Sequence, residues 1–255
     1  MTINITNSPL VVYTRLSPNN SGRRVHVIDR ITPHCVVGQC TAEGLGDWFA
    51  NPSSKCSANY GIDRDGRVAL YVDEGDRSWC SSSNENDQRA VTIECASDAT
   101  APFAFRDGVY KKLIELCIDI CRRNGKRKLL WFGEKEKSLA YEPSADEMVL
   151  TVHRWFAAKD CPGEWLYSRL GELADAVTRG LAGEDVGEDE ASVPVKPNYT
   201  PPIKNPITAT FPPDPSVFLI QLIMQYNGYW DKPDGHKSKA FFDKLEQFVQ
   251  DMKSC

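Results

Sequence analysis

The side chains best suited to chemistry in this sequence are two of its four histidines and one of its nine cysteines. His153 lies in the segment VHRWFAAKDCPG, eight residues before Cys161, and His34 lies far upstream in ITPHCV. Imidazole nitrogen and thiolate sulfur are both good Zn²⁺ ligands, and a catalytic zinc needs three protein ligands with one position left open. The pair of His153 and Cys161 therefore indicates a metal site with His34 as the candidate third ligand, although each residue alone also fits a structural role.

Several common catalytic motifs are missing from the chain. It contains no G-x-S-x-G, no phosphate-binding G-x-x-x-x-G-K-[ST], no G-x-G-x-x-G and no H-E-x-x-H. Cys117 and Cys121 are spaced i, i+4 on the apolar face of a predicted helix, so we expect them in the core rather than in a second metal site.

The elements that must position these residues alternate between strands and helices over the first 182 residues. Strands are predicted over 23–29, 59–63, 67–73 and 90–96, with a hairpin turn at Asp65-Gly66, and helices over 41–51, 107–123 and 164–181. Trp48 and Trp155 are expected in the core. Strands interleaved with helices predict an α/β fold in which one sheet is covered by helices.

Composition excludes several classes of protein. Of the 255 residues, 41% are hydrophobic and 25% are charged, which is ordinary for a globular protein. The net charge of −5 gives no reason to expect a nucleic-acid partner. No apolar run is long enough to cross a bilayer, which argues against membrane insertion. The N-terminus lacks a secretory signal pattern, so we expect synthesis in the cytoplasm.

The composition changes sharply near residue 183. Residues 183–215 are rich in proline and acidic residues and predict an extended linker between residues 1–182 and residues 216–255. Residues 216–255 contain two amphipathic segments that predict a small helical module.

Four segments, in this order, resemble the type-2 N-acetylmuramoyl-L-alanine amidases. They are ITPHC (31–35), ANYGIDRDGRVALYVDEGDRSW (58–79), AVTIECA (90–96) and HRWFAAKDCPGEWL (153–166). This zinc-dependent family includes phage endolysins, bacterial autolysins and peptidoglycan recognition proteins. The resemblance covers about residues 22–182 and implies a mixed central β-sheet flanked by helices.

The resemblance also implies the function and the metal. His34, His153 and Cys161 match the family's zinc ligands. The implied reaction is hydrolysis of the amide bond between N-acetylmuramic acid and L-alanine in peptidoglycan, with a role in cell-wall lysis after the protein is released. The chain would then be an endolysin or an autolysin.

Further site residues follow from the same resemblance. Glu94 matches a proposed general base, Lys159 matches a catalytic lysine, and Tyr60 matches a tyrosine near the metal. Trp79 is a candidate for lining the substrate groove. The chain departs from many relatives at Cys80, where they carry a histidine.

Two other functions remain open at this point. One is a non-catalytic peptidoglycan-binding protein, although such relatives usually lack the cysteine ligand. The other is a thiol hydrolase with Cys161 as nucleophile and His153 as base. Residues 216–255 weakly resemble a small helical peptidoglycan-binding domain, and a module for self-association is the alternative.

Overall fold

The structure, a computed structural model, describes residues 6–183. The predicted helical module over 216–255 lies outside these residues, as does the predicted linker over 183–215 except for Gly183.

Nine β-strands of the described residues form two sheets. They are β1 (Val11–Thr14), β2 (Asn20–Arg23), β3 (Arg30–Cys35), β4 (Tyr60–Ile62), β5 (Val68–Leu70), β6 (Asp76–Ser78), β7 (Ala90–Cys95), β8 (Lys128–Leu130) and β9 (Glu147–Leu150). The main sheet has the order β1-β5-β4-β7-β3-β9-β8, and β2 pairs with β6 separately. Within the main sheet the β4–β5 pair is antiparallel and the other pairs are parallel. The mixed central sheet is therefore confirmed.

Six α-helices accompany these strands in residues 6–183. They are α1 (Ala42–Ala50), α2 (Asn84–Arg89), α3 (Asp107–Arg123), α4 (Lys135–Ala140), α5 (Glu164–Tyr167) and α6 (Leu170–Ala182). The bounds of α3 are those predicted from its apolar spacing. Thr41 caps α1, because its side-chain oxygen accepts a hydrogen bond of 3.1 Å from the backbone N–H of Gly44. None of the six helices is long and apolar enough to cross a membrane.

Strand β3 lies in the interior of the main sheet beside the central strand β7, and it pairs with β7 on one side and with β9 on the other. All six residues of β3 are buried, as expected for a parallel strand covered on both faces. Its register with β7 aligns His34 with Glu94 and Cys35 with Cys95. Because side chains alternate between the faces of a strand, His34 and Glu94 share one face, and Cys35 and Cys95 share the other.

The larger part of the core lies on the face of Cys95, where α3 and α6 pack against the sheet. Leu113 and Leu116 of α3 are completely buried, and burial of each such side chain stabilises the fold by about 1.5–3 kcal/mol. Cys117 and Cys121 are also 0% exposed, which confirms that they are core residues.

A smaller core lies on the opposite face, where α1 packs Leu45 and Phe49 against Tyr71. Trp155 is buried as predicted, but Trp48 is 59% exposed, so its prediction as a core residue is wrong. Leu45 and Phe49 form the inward stripe of α1 at i, i+4. Trp48 lies outside that stripe, which leaves its indole open to solvent.

Two predicted elements differ from the structure. The strand predicted over 23–29 is wrong, because the segment between β2 and β3 is irregular and its Val25 and Val27 are 76% and 64% exposed. The alternation of apolar and polar residues in this segment has the period of a half-buried strand, but no element covers the two valines. The single helix predicted over 164–181 is divided into α5 and α6 by a break at Ser168 and Arg169.

Candidate metal centre

His34 is positioned by β3, an interior strand of the main sheet. It is the next-to-last residue of β3 and is 0% exposed. The carboxyl ends of parallel strands meet at one edge of a sheet, and the crevice outside that edge is the usual place for a ligand in open α/β folds. The imidazole of His34 lies at this edge, on the same face as Glu94.

His153 and Cys161 are positioned by the segment that follows β9. A short 3₁₀ helix over His153–Trp155 carries the histidine, and Cys161 lies in the loop before α5. The backbone N–H of Arg154 donates a hydrogen bond of 3.0 Å to the carbonyl oxygen of Cys161. This bond joins the two ends of the segment and brings both side chains to His34.

The structure brings the three predicted ligands together. Their donor atoms all lie within 4.8 Å of one another. His34 Nδ1 is 3.2 Å from Cys161 Sγ, and the ring centroids of His34 and His153 are 5.0 Å apart. Ligand atoms on one tetrahedral zinc, with bond lengths of about 2.0–2.3 Å, lie roughly 3.3–3.8 Å from one another. The observed spacing therefore suits a single ion.

Unpartnered polar atoms at the same place support this fit. Among the described residues, His34 Nε2 and Glu94 Oε2 are buried without a hydrogen-bond partner, which is uncommon in folded proteins. Burial, reinforced by the neighbouring His153, lowers the pKa of His34 well below its ordinary value. The ring is therefore neutral, which is the form that binds a metal. Two neutral imidazoles and a thiol make a donor set that fits zinc.

Glu94 lies beside this group on β7. Its Oε1 is 3.9 Å from His34 Nδ1 and 3.8 Å from the sulfur of Cys80. Burial, with a smaller contribution from Cys35, raises the pKa of Glu94 to about 8. A carboxyl group with a pKa near neutrality can both accept and return a proton at physiological pH.

Lys159 lies on the exposed loop between His153 and Cys161. After the effect of burial, the charge of Lys159 is the second cause that lowers the pKa of His153. Its ammonium group is therefore close enough to act electrostatically at the mouth of the site.

An open groove of about 500 Å³ leads to Glu94 and His153. Trp79 and the exposed Trp48 are among the side chains that line it. The indole N–H of Trp79 donates a hydrogen bond of 2.7 Å to Ser21 Oγ, which fixes the ring. Trp79 is thus held at the wall of this groove.

Tyr60 is not part of this group, which corrects its predicted place near the metal. Its register on β4 pairs it with Ile93 rather than with Glu94, so it lies on the opposite face of the sheet. The ring is 0% exposed, and its hydroxyl donates to Glu74 Oε2 at 2.7 Å and accepts from the backbone N–H of Ser8 at 2.9 Å. The Tyr60 hydroxyl makes both of these hydrogen bonds within the core and cannot reach His34.

Ser82 is a contact of the site that sequence reasoning missed. Its Oγ is 3.0 Å from His153 Nε2. The residue is exposed, and it has a φ of 62°, which is unusual for a residue other than glycine. The run Ser81-Ser82-Ser83 resembles an ordinary loop, and nothing in the sequence pairs it with a histidine 71 residues away.

Comparison with known families gives one match. The sequence profile of the N-acetylmuramoyl-L-alanine amidase family matches residues 24–164, which is more than half of the chain and includes all three predicted ligands. A search of curated proteins found no significant match.

Solved structures also match this chain, at low sequence identity. The hydrolase AmiA of Staphylococcus aureus, solved in complex with its ligand, is 13% identical with a TM-score of 0.48, over 71% of this chain and 90% of that one. A selenomethionine derivative of AmpD is 18% identical with a TM-score of 0.45, over 71% and 99%. The Ph2119 endolysin of a Thermus scotoductus bacteriophage is 16% identical with a TM-score of 0.41, over 63% and 92%.

Proposed function

The chain belongs to the N-acetylmuramoyl-L-alanine amidase family, and from that membership we propose that it is a zinc-dependent peptidoglycan amidase. The bond cleaved is the amide between the lactyl group of N-acetylmuramic acid and L-alanine. The biological setting is degradation of the bacterial cell wall, as an endolysin or an autolysin performs it.

One observation carries the zinc part of the proposal. The donor atoms of His34, His153 and Cys161 come from distant segments and lie within 4.8 Å of one another. These residues would hold the ion. When bound, zinc supplies a Lewis acid and lowers the pKa of its bound water to about 7.

Glu94 is proposed as the general base. Its carboxylate lies beside the three ligands, and burial shifts its pKa towards neutrality. It accepts the proton of the attacking water and returns it to the amine of L-alanine as that amine leaves. The groove that leads to Glu94 gives the substrate a path to this carboxylate.

Lys159 is proposed to stabilise the negative charge that develops on the carbonyl oxygen of the substrate. Its position on the exposed loop beside His153 allows it to approach a substrate in the groove. Trp79, fixed at the groove wall by Ser21, offers a flat ring against which a sugar or peptide segment can pack.

The decisive experiment is mass spectrometry of the products from purified peptidoglycan incubated with the full chain. We expect free L-alanine amino termini and intact glycan strands. Treatment with a chelator should abolish their release, and added zinc should restore it. A product with cleaved glycan bonds, or none at all from zinc-loaded protein, would contradict the proposal.

The contact of 3.2 Å between Cys161 Sγ and His34 Nδ1 also gives a thiol hydrolase a geometric basis, here with His34 rather than His153 as the partner. The same chelator experiment separates the two functions. A thiol hydrolase needs no metal and would keep its activity, whereas a zinc amidase would lose it.

We also propose that residues 216–255 bind the cell wall or mediate self-association, and that residues 183–215 link them to the amidase domain over residues 1–182. Such tethering would raise the local concentration of the catalytic domain at its polymer. Sedimentation of the full chain with purified cell walls, compared with that of residues 1–183, tests this role.

A further inference from the structure

The thiol of Cys80 lies beside the candidate metal centre. Its side chain belongs with His34 and Glu94 to a group whose donor atoms also lie within 4.8 Å of one another. Neither the reaction proposed above nor the ligand set of His34, His153 and Cys161 uses this thiol. The site therefore contains two overlapping sets of three donors, which share His34.

The second set has the spacing of a coordination sphere. Cys80 Sγ is 3.8 Å from Glu94 Oε1, and that oxygen is 3.9 Å from His34 Nδ1. These distances are close to the roughly 3.3–3.8 Å between ligands of a tetrahedral zinc. The other carboxylate oxygen, Glu94 Oε2, is buried and lacks a partner among the described residues. A nitrogen, a sulfur and a carboxylate oxygen form a donor set of the borderline type that zinc and cobalt accept.

Cys80 is held firmly in this position. It follows β6 in the loop to α2, and its backbone N–H donates a hydrogen bond of 3.0 Å to Asp87 Oδ2. The hydroxyl of Ser81 donates a bond of 2.6 Å to the other oxygen of the same buried carboxylate. Because Asp87 fixes both residues, the thiol is presented to Glu94 by a defined loop rather than by a mobile one.

We propose that His34, Cys80 and Glu94 form a second binding site for a borderline divalent cation such as Zn²⁺ or Co²⁺. It is adjacent to the first site, which is formed by His34, His153 and Cys161. This inference rests on the proposed function, because it takes the first site as given. The two sites cannot be occupied together, because the same atom, His34 Nδ1, faces both Cys161 Sγ and Glu94 Oε1. An imidazole nitrogen has one lone pair to donate, so a single ion binds at one site or at the other.

Binding at the second site has a chemical consequence. An ion held by Glu94 occupies the carboxylate that the proposed hydrolysis needs as its base. The second site would therefore hold the metal in an inactive position, from which the ion returns to His153 and Cys161.

The test uses cobalt as the probe, bound to the metal-free full chain. Bound cobalt is counted by elemental analysis, and a coordinated thiolate is detected by its sulfur-to-cobalt charge-transfer absorption. In the wild type we expect one ion and a thiolate signal. Cys161→Ser should bind cobalt more weakly but keep the thiolate signal at saturation, because Cys80 supplies the sulfur. The double variant Cys161→Ser/Cys80→Ser should lose the signal completely.

Two further variants identify the sulfur. Cys35 contacts the thiol of Cys161, and Cys56 lines the groove, but neither belongs to the second set. Cys161→Ser/Cys35→Ser and Cys161→Ser/Cys56→Ser should therefore keep the signal. Its loss with Cys35→Ser, or its absence already in Cys161→Ser, would overturn the inference. Cys161→Ala replaces Cys161→Ser if the serine variant does not fold.

The failure of this inference differs from failure of the proposed function. If the wild type binds no cobalt with thiolate character, the assignment of the first site is wrong. If the wild type binds cobalt through sulfur and Cys161→Ser abolishes all sulfur coordination, the first site is supported and only the second site is refuted.

Discussion

His34 and Cys161 are 127 residues apart in the chain, yet His34 Nδ1 and Cys161 Sγ are separated by 3.2 Å. The contact joins β3, an interior strand of the sheet, to the loop that follows β9. Chain segments this distant meet only because β9 pairs directly with β3 in the folded sheet. The predicted metal centre is thus a product of topology, and it can be tested residue by residue.

Substitution of Cys161 by serine should lower the affinity for zinc by more than about 100-fold. Loss of a residue that merely supports a ligand already costs about 10–100-fold, and here the ligand itself is removed. Isothermal titration with zinc measures the change. The matched control is Cys56→Ser, which removes another thiol of the groove without touching the three ligands. Equal affinities in the two variants would refute Cys161 as a ligand.

Glu94→Gln should reduce kcat by about 10²–10⁴-fold, the usual range for loss of a general base. The amide has the shape of the carboxylate but cannot accept a proton. Bound zinc should remain at the wild-type level, since His34, His153 and Cys161 are all still present to hold it. Release of L-alanine amino termini and elemental analysis on the same sample give both numbers. A parallel loss of zinc and activity would instead mean that the zinc bound by His34, His153 and Cys161 also depends on Glu94.

Ser82→Ala should weaken zinc binding or activity by about 10–100-fold, because the hydroxyl at 3.0 Å from His153 Nε2 orients the ring. Ser82→Gly is the informative partner variant. Glycine also removes the hydroxyl but accommodates the φ of 62° without strain. If both variants lose function equally, the hydrogen bond is responsible. If only alanine does, the hydroxyl is not responsible, because glycine lacks it too.

Much of the fold could be predicted from the sequence because its signals are local. The apolar spacing of residues 107–123 and the Asn124-Gly125 stop define α3, and Asp65-Gly66 turns the antiparallel pair of β4 and β5. The segment 23–29 shows the limit of such signals. Its alternating valines have the period of a strand, but burial depends on whether another element covers them, and none does.

At the site, too, the sequence could predict some residues and not others, as the proposed metal ligands and Tyr60 show. Residue types and a resemblance sufficed to propose His34, His153 and Cys161. The face on which Tyr60 lies depends on the register of β4 against β7, and a shift of one residue exchanges the two faces of a strand. Register is a property of the paired strands, so the sequence of β4 alone could not exclude Tyr60.

Tyr60→Phe tests this placement directly. The change removes a buried hydroxyl that donates to Glu74 and accepts from the backbone N–H of Ser8. Glu74 keeps Arg123 and Asn124 as partners, but the N–H of Ser8 loses its acceptor. We therefore expect the free energy of unfolding to fall by about 1–3 kcal/mol. The kcat on peptidoglycan should stay unchanged, because the ring is sealed on the far side of the sheet from His34. Denaturant unfolding and product release measured on the same variant decide the matter. A fall in kcat without a loss of stability would return Tyr60 to the active site.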